Sequence, residues 1–371
     1  MKVIITESQY EKVSGELDEE LGVPEGILDV GEKVYDSTIK FLENFKGDID
    51  DLEVGSLSLK GDFKVSDVLF DEIFVEFKIQ EHVSISGVKV YGFFIKNRTA
   101  VTKALKIKSV DDPKKMYIGF NLLIEPGIDV QDICQDLKKE RKEYIPHISH
   151  EIKHAFDSIK KKEENPIDIV KYRVTQDVKE YFGFVPEISK FLFFSYFIHS
   201  VENLVKPTEL AASMRMNNVS KKEFLNFFLK SEIFKTLKDI QNFNYEEFKK
   251  KLATGDNIKF IKLVYNNSGK SYDGMSNEEI VDDFLKIFYS GFNIKRVQIM
   301  EQILTSSRLE ELIGFEGEKH KFFQKYIQDV EKYGDDYNRF FRGEEKFFHQ
   351  ISTMMIKKLA KLYAMIKENP S

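Results

Sequence analysis

Residues 146–156 read Pro146-His147-Ile148-Ser149-His150-Glu151-Ile152-Lys153-His154-Ala155-Phe156. Within them, His150-Glu151-Ile152-Lys153-His154 has the form H-E-x-x-H. With 7 histidines in the chain, that pattern should arise by chance on the order of 0.01 times, so it is read as a signal. On a helix, positions i and i+4 share a face, about 40° apart and about 6 Å along the axis. Both imidazoles can then reach one zinc ion. Glu151 is offset by about 100° and stands beside the ion rather than on it. From there it can take a proton from water and pass it to a leaving amine. The flanks agree with a helix over Pro146–Lys161. Pro146 suits a first helical turn. Ile148, Ile152, Ala155, Phe156 and Ile159 make an apolar stripe that buries one face, while Lys153, Lys160 and Lys161 are expected to point to water.

Upstream of this helix the hydrophobic period is two. Ile73, Val75, Phe77 and Ile79 alternate with Phe74, Glu76 and Lys78. Val83–Ile85, Val88–Val90, Phe93–Ile95, Ala104–Lys108 and Met116–Ile124 continue the series, broken by Gly87 and Gly92. Short runs at this spacing predict an antiparallel or mixed sheet over Leu57–Ile124. From Val130 onward the periodicity is helical almost to the end, with segments that include Phe191–Val205, Pro207–Met216 and Glu344–Lys367. The expected fold class is therefore α+β, a sheet followed by helices. The expected division is an N-terminal helical arm at 1–50, a core at 51–216 and a helical C-terminal region at 217–371. The arm opens with a capping box at Thr6–Gln9, stapled by Ile5 and Tyr10.

Composition narrows the chemistry. The chain has 371 residues, 42% apolar and 32% charged, enough for a substantial core. Its net charge of −6 offers no basic face, so no nucleic-acid partner is expected. Cys134 is the single cysteine, which excludes an internal disulfide framework and Cys-rich metal sites. A bound metal must use histidine and carboxylate ligands. No run of 18 apolar residues exists and the opening apolar run is too short for a signal peptide, so no membrane partner is expected. The protein is expected to stay in the cytoplasm where it is made.

Catalytic zinc usually has three protein ligands. Two carboxylates compete for the third place. Glu209 lies in Lys206-Pro207-Thr208-Glu209-Leu210-Ala211-Ala212, near a predicted helix start, where the small residues that follow allow close approach. Glu202 lies inside the apolar segment Phe191–Val205, where a lone carboxylate is costly unless paired. Glu209 is the favoured ligand and Glu202 the alternative, with His199 and Asp157 behind them. Asp157, and Glu202 with His199, also suit an outer role, orienting an imidazole. His147 lies one turn before His150, and Tyr172, Arg173 and Tyr181 fall between the two metal-bearing segments. His82, His320 and His349 have no partner at ligand spacing and read as structural.

The sheet, the H-E-x-x-H helix and the later Glu-Leu-Ala-Ala segment together resemble the zincin superfamily of metallopeptidases, over roughly Tyr117–Ala212. No Gly or third His follows His154 at metzincin spacing, so the likeness is to the gluzincin type. The opening Val3-Ile4-Ile5-Thr6-Glu7-Ser8-Gln9-Tyr10 and the closing Phe340–His349 segment resemble the ends of phage-encoded zincin-like proteins. The resemblance implies a zinc cofactor, ligands His150, His154 and Glu209, Glu151 as catalytic base, and hydrolysis of a peptide or protein substrate. It also implies that an edge strand, for which Met116–Ile124 is the candidate, pairs with the substrate. The alternative is a catalytically silent structural protein on the same scaffold, such as a virion component with other phage proteins as partners. A metal hydrolase acting on something other than a peptide is the third reading.

Overall fold

The computed structural model describes residues 23–94, 115–159, 166–267, 271–305 and 336–366. The N-terminal capping box, the Ala104–Lys108 strand and His320 lie outside them. Contacts group the chain into two units. The first takes Met1–Lys162, Leu204–Ser231 and Lys358–Ser371; the second takes Glu163–Asn203 and Glu232–Lys357.

The first unit is built on a mixed sheet. Strands β1 (Ser56–Val65), β2 (Val68–Glu81), β3 (Val88–Phe94) and β4 (Lys115–Ile124) lie in the order β1-β2-β4-β3. β1 is antiparallel to β2, β2 is parallel to β4, and β3 is antiparallel to β4. The β2–β4 register sets Ile73, Val75 and Phe77 beside Met116, Ile118 and Phe120. Because side chains alternate along a strand, these six share one face, and all are buried. Phe74 stacks on Tyr117 on the other face, ring centroids 4.6 Å apart. β4 is thus an interior strand with neighbours on both sides, and the expectation that Met116–Ile124 forms an edge is overturned. Its near-continuous apolar run, Met116 to Ile124, already has the composition of a strand covered on both faces.

Helices α1 (Ile27–Asn44), α2 (Ile49–Val54), α3 (Val130–Lys139) and α4 (Arg141–Ile159) belong to the same unit. Asp129 caps α3 by accepting from the Asp132 backbone N–H at 2.9 Å. Ile133 and Leu137 of α3, and Ile145, Ile148 and Ile152 of α4, join the sheet in one apolar cluster. α4 carries the H-E-x-x-H segment and packs on α1, β3 and β4. It begins five residues before the predicted start, so Pro146 lies inside it. Proline removes one backbone donor there, and the helix continues through it.

A second revision concerns the later carboxylates. α5 (Pro166–Phe182), α6 (Pro186–Phe197) and α7 (Ser200–Met216) follow α4. The break expected at Lys206–Pro207 falls instead at Ile198–His199, and Pro207 sits within α7. Glu202, Lys206 and Glu209 consequently stand on one continuous helix, at i, i+4 and i+7.

The remaining elements are α8 (Lys221–Lys230), α9 (Glu232–Gln241), α10 (Tyr245–Leu252), α11 (Gly255–Asn267), α12 (Asn277–Thr305) and α13 (Tyr337–Ala360), with a short 3-10 turn at Lys361–Met365. Among the described residues beyond Met216 there is no strand. The second unit packs around phenylalanine. Phe191 of α6 meets Phe341 at 5.1 Å, Phe348 at 5.6 Å, Phe248 at 5.7 Å and Phe243 at 5.8 Å between centroids. Tilted ring contacts at such distances add to area burial. Part of the chain's phenylalanine content thus forms a helical core. Among the described residues no helix is long and apolar enough to cross a membrane.

Candidate metal centre

Among the described residues, one group of histidine and carboxylate side chains is placed to hold a metal ion: His150, His154 and Glu202. One ligand atom from each lies within 4.8 Å of the others. The imidazoles come from successive turns of α4, which brings Nε2 of His150 to 3.1 Å from Nε2 of His154. Two nitrogens bound tetrahedrally at 2.0–2.1 Å would sit about 3.3 Å apart, so the pair already has the spacing of a shared cation. The carboxylate comes from the first turn of α7.

Glu209, expected as the third ligand, stands elsewhere. Its Oε2 lies 2.9 Å from Nδ1 of His150, the nitrogen that does not face His154. Lys206 donates to the same Oε2 at 2.8 Å. His147, half exposed, has its Nδ1 4.0 Å from Glu209 Oε1. Burial alone would push the Glu209 carboxyl up. The Lys206 charge, and the hydrogen bond and charge of His150, outweigh burial and hold it well below the usual carboxylate range. An ionised carboxylate only accepts, so Nδ1 of His150 carries the proton. In a neutral imidazole Nε2 then presents its lone pair toward His154. A carboxylate on the far nitrogen of a histidine fixes both tautomer and ring orientation.

The structure separates Glu202 from Glu209 for a simple reason. The two are seven residues apart, two turns on one face of α7, so the helix sets one carboxylate near each side of the same imidazole. Glu151 follows His150 on α4 and is half-buried. Lys153, expected to point to water, is fully buried and pairs with Asp157 one turn along α4. Asp157, considered for an outer role, is engaged by Lys153, and the carboxylate beside the His150 ring nitrogen is that of Glu209. His199 is buried at the break before α7. Tyr181 is exposed beneath the ammonium of Lys295, 5.0 Å from its ring centre. The side chains of Tyr172 and Arg173 lie outside those described. His82 and His349 are exposed.

Sequence reasoning missed Lys206. Its signal was the spacing Glu202, Lys206, Glu209, visible only once Pro207 is allowed inside a helix.

Comparison with protein-family models, with curated proteins and with solved structures finds no match for this chain.

Proposed function

We propose that the protein is a zinc-dependent peptidase in which His150, His154 and Glu202 hold the ion and Glu151 moves the proton. One observation carries this reading: His150 is pinned through Nδ1 by Glu209, so its Nε2 is turned toward Nε2 of His154. Two imidazole nitrogens and a carboxylate oxygen form a donor set that suits zinc. The set fits the buried setting too, since Glu202 and His150 are both nearly excluded from water. A zinc ion bound there supplies Lewis acidity, polarising a carbonyl and acidifying water.

The chain's own residues do the rest. Glu209 keeps His150 in the tautomer that offers Nε2. Glu151, one residue along α4, accepts a proton on its carboxylate from the attacking water. It then returns that proton to the amine that leaves. The peptide as substrate rests on the resemblance of the H-E-x-x-H helix to zincins, and a phage source rests on the resemblance of the chain's ends.

The second reading is a catalytically silent scaffold protein. The extent of helix beyond Met216, which supplies none of the three ligands, favours it. A digest of casein or a peptide library, with wild type and Glu151→Gln side by side after metal analysis, decides. Cleavage by the wild type and none by the variant supports the peptidase. Equal cleavage by both, or none by a wild type carrying stoichiometric zinc, overturns it.

A further inference from the structure

We propose that Lys206 is a positioning residue of the metal centre: its ammonium group holds Glu209 on the Nδ1 side of His150, so that Glu209 orients the imidazole and Glu202 alone supplies a carboxylate to the ion. This inference rests on the metal-binding reading above.

The problem Lys206 solves is one of competition. α7 presents two glutamates, Glu202 and Glu209, to the same histidine. Both side chains are long enough to rotate, and a divalent cation attracts both. Left to itself, Glu209 could leave Nδ1 and turn to the ion. That would crowd the site and release the imidazole it should orient. Lys206 stands between the two, one turn after Glu202 and one turn before Glu209. Its ammonium lies 2.8 Å from Oε2, the same oxygen that accepts from His150 Nδ1 at 2.9 Å. Two charge-assisted hydrogen bonds from two directions fix that oxygen more firmly than either alone.

Burial argues in the same direction. Lys206 is only 8% exposed. An ammonium group taken out of water is expensive, and an apolar side chain of similar volume often serves stability as well or better. What the charge adds here is geometry: it selects one of two places for Glu209. His147 faces Glu209 Oε1 at 4.0 Å and completes the ring of groups around the carboxylate.

The test uses the full chain loaded with cobalt(II), whose visible bands report coordination number, and with zinc against a competing chelator. Lys206→Met removes the charge at similar length, and Lys206→Arg keeps it. The expected result is that Lys206→Met weakens the cobalt bands, as a fifth ligand enters, while Lys206→Arg leaves them as in wild type. Lys206→Met combined with Glu209→Gln should return to the spectrum of Glu209→Gln alone, since no carboxylate is left to move. Glu202→Gln should lose zinc affinity, and adding Lys206→Met should recover it by about 10-fold, the scale of outer-ligand effects. Superimposable wild-type and Lys206→Met bands, or no recovery in the double variant, overturn the proposal. If Lys206→Met does not fold, Lys206→Gln is read in the same way. Failure of the metal reading itself looks different: wild type then takes up no stoichiometric metal, or Glu202→Gln binds zinc like wild type.

Discussion

Nδ1 of His150 and Oε2 of Glu209 lie 2.9 Å apart, across fifty-nine residues of sequence. That contact leaves Nε2 of His150 facing His154, and under the proposed function it sets Glu209 apart from Glu202. A carboxylate bound to a histidine's outer nitrogen tunes a metal site without touching the metal.

Metal binding should sort these residues into two classes. His150→Ala, His154→Ala and Glu202→Ala should each abolish stoichiometric zinc binding. Glu209→Gln should keep zinc but weaken it by about 10- to 100-fold. Elemental analysis and chelator competition give both numbers. Full loss in Glu209→Gln together with wild-type affinity in Glu202→Ala would reverse the two roles.

Glu151→Gln separates binding from chemistry. The ligands are untouched, so zinc should remain at full occupancy. Peptide hydrolysis should drop by at least about 10²-fold, the usual worth of a positioned proton-transfer group. A variant that cleaves as fast as wild type would remove Glu151 from the mechanism.

The α1–α4 crossing should be sensitive to a single methyl group. Gly31 of α1 packs so closely on α4 that a Cβ there would lie 2.3 Å from Ser149 Oγ. Gly31→Ala should destabilise the fold by about 1–3 kcal/mol through overpacking, despite alanine's better helix propensity. Because Ser149 precedes His150, zinc affinity should fall as well. Pairing Gly31→Ala with Ser149→Ala should recover part of both, measured by urea unfolding and chelator competition. A stabilised Gly31→Ala single variant would show that the helices part freely.

Alkaline pH should loosen the first unit. Burial pushes the Tyr35 phenol up to about 12, against the opposing charge of Arg141, and burial with Glu140 and Glu143 pushes Tyr144 up to about 12. Tyr35 also donates to the Leu137 carbonyl at 2.8 Å. The unfolded chain ionises near the ordinary value of 10.0, before the folded one does. The stability these phenols contribute is therefore intact below pH 10 and lost as pH rises toward about 12. Urea midpoints across that window should fall for wild type and fall less for Tyr35→Phe with Tyr144→Phe. Parallel slopes would remove the two tyrosines as the cause.

Much was legible in local sequence because local physics dictates it. Alternation at Ile73, Val75, Phe77 and Ile79 gives a strand with one apolar face. Spacing of four between His150 and His154 puts two imidazoles on one side of a helix whatever surrounds it. Both follow from backbone periodicity and need no distant partner. The mixed α+β order of the chain follows in the same way.

Tertiary structure decided the rest, because the deciding partners are far apart in sequence. Strand order made β4 an interior strand, which no property of Met116–Ile124 alone distinguishes from a buried edge. Packing carried α4 and α7 through Pro146 and Pro207, where local rules predict boundaries. The same packing buried Lys153 with Asp157, one turn apart on α4, although a lysine is ordinarily expected to reach water. Above all, Glu202 and Glu209 share one face of α7 and are alike in chemistry. The sequence determined that two histidines share one helical face with a glutamate beside them, and that further carboxylates follow downstream. Only the placement of α7 against α4 decided which carboxylate meets Nδ1 of His150, because that depends on where one helix stands along another, and periodicity is blind to translation.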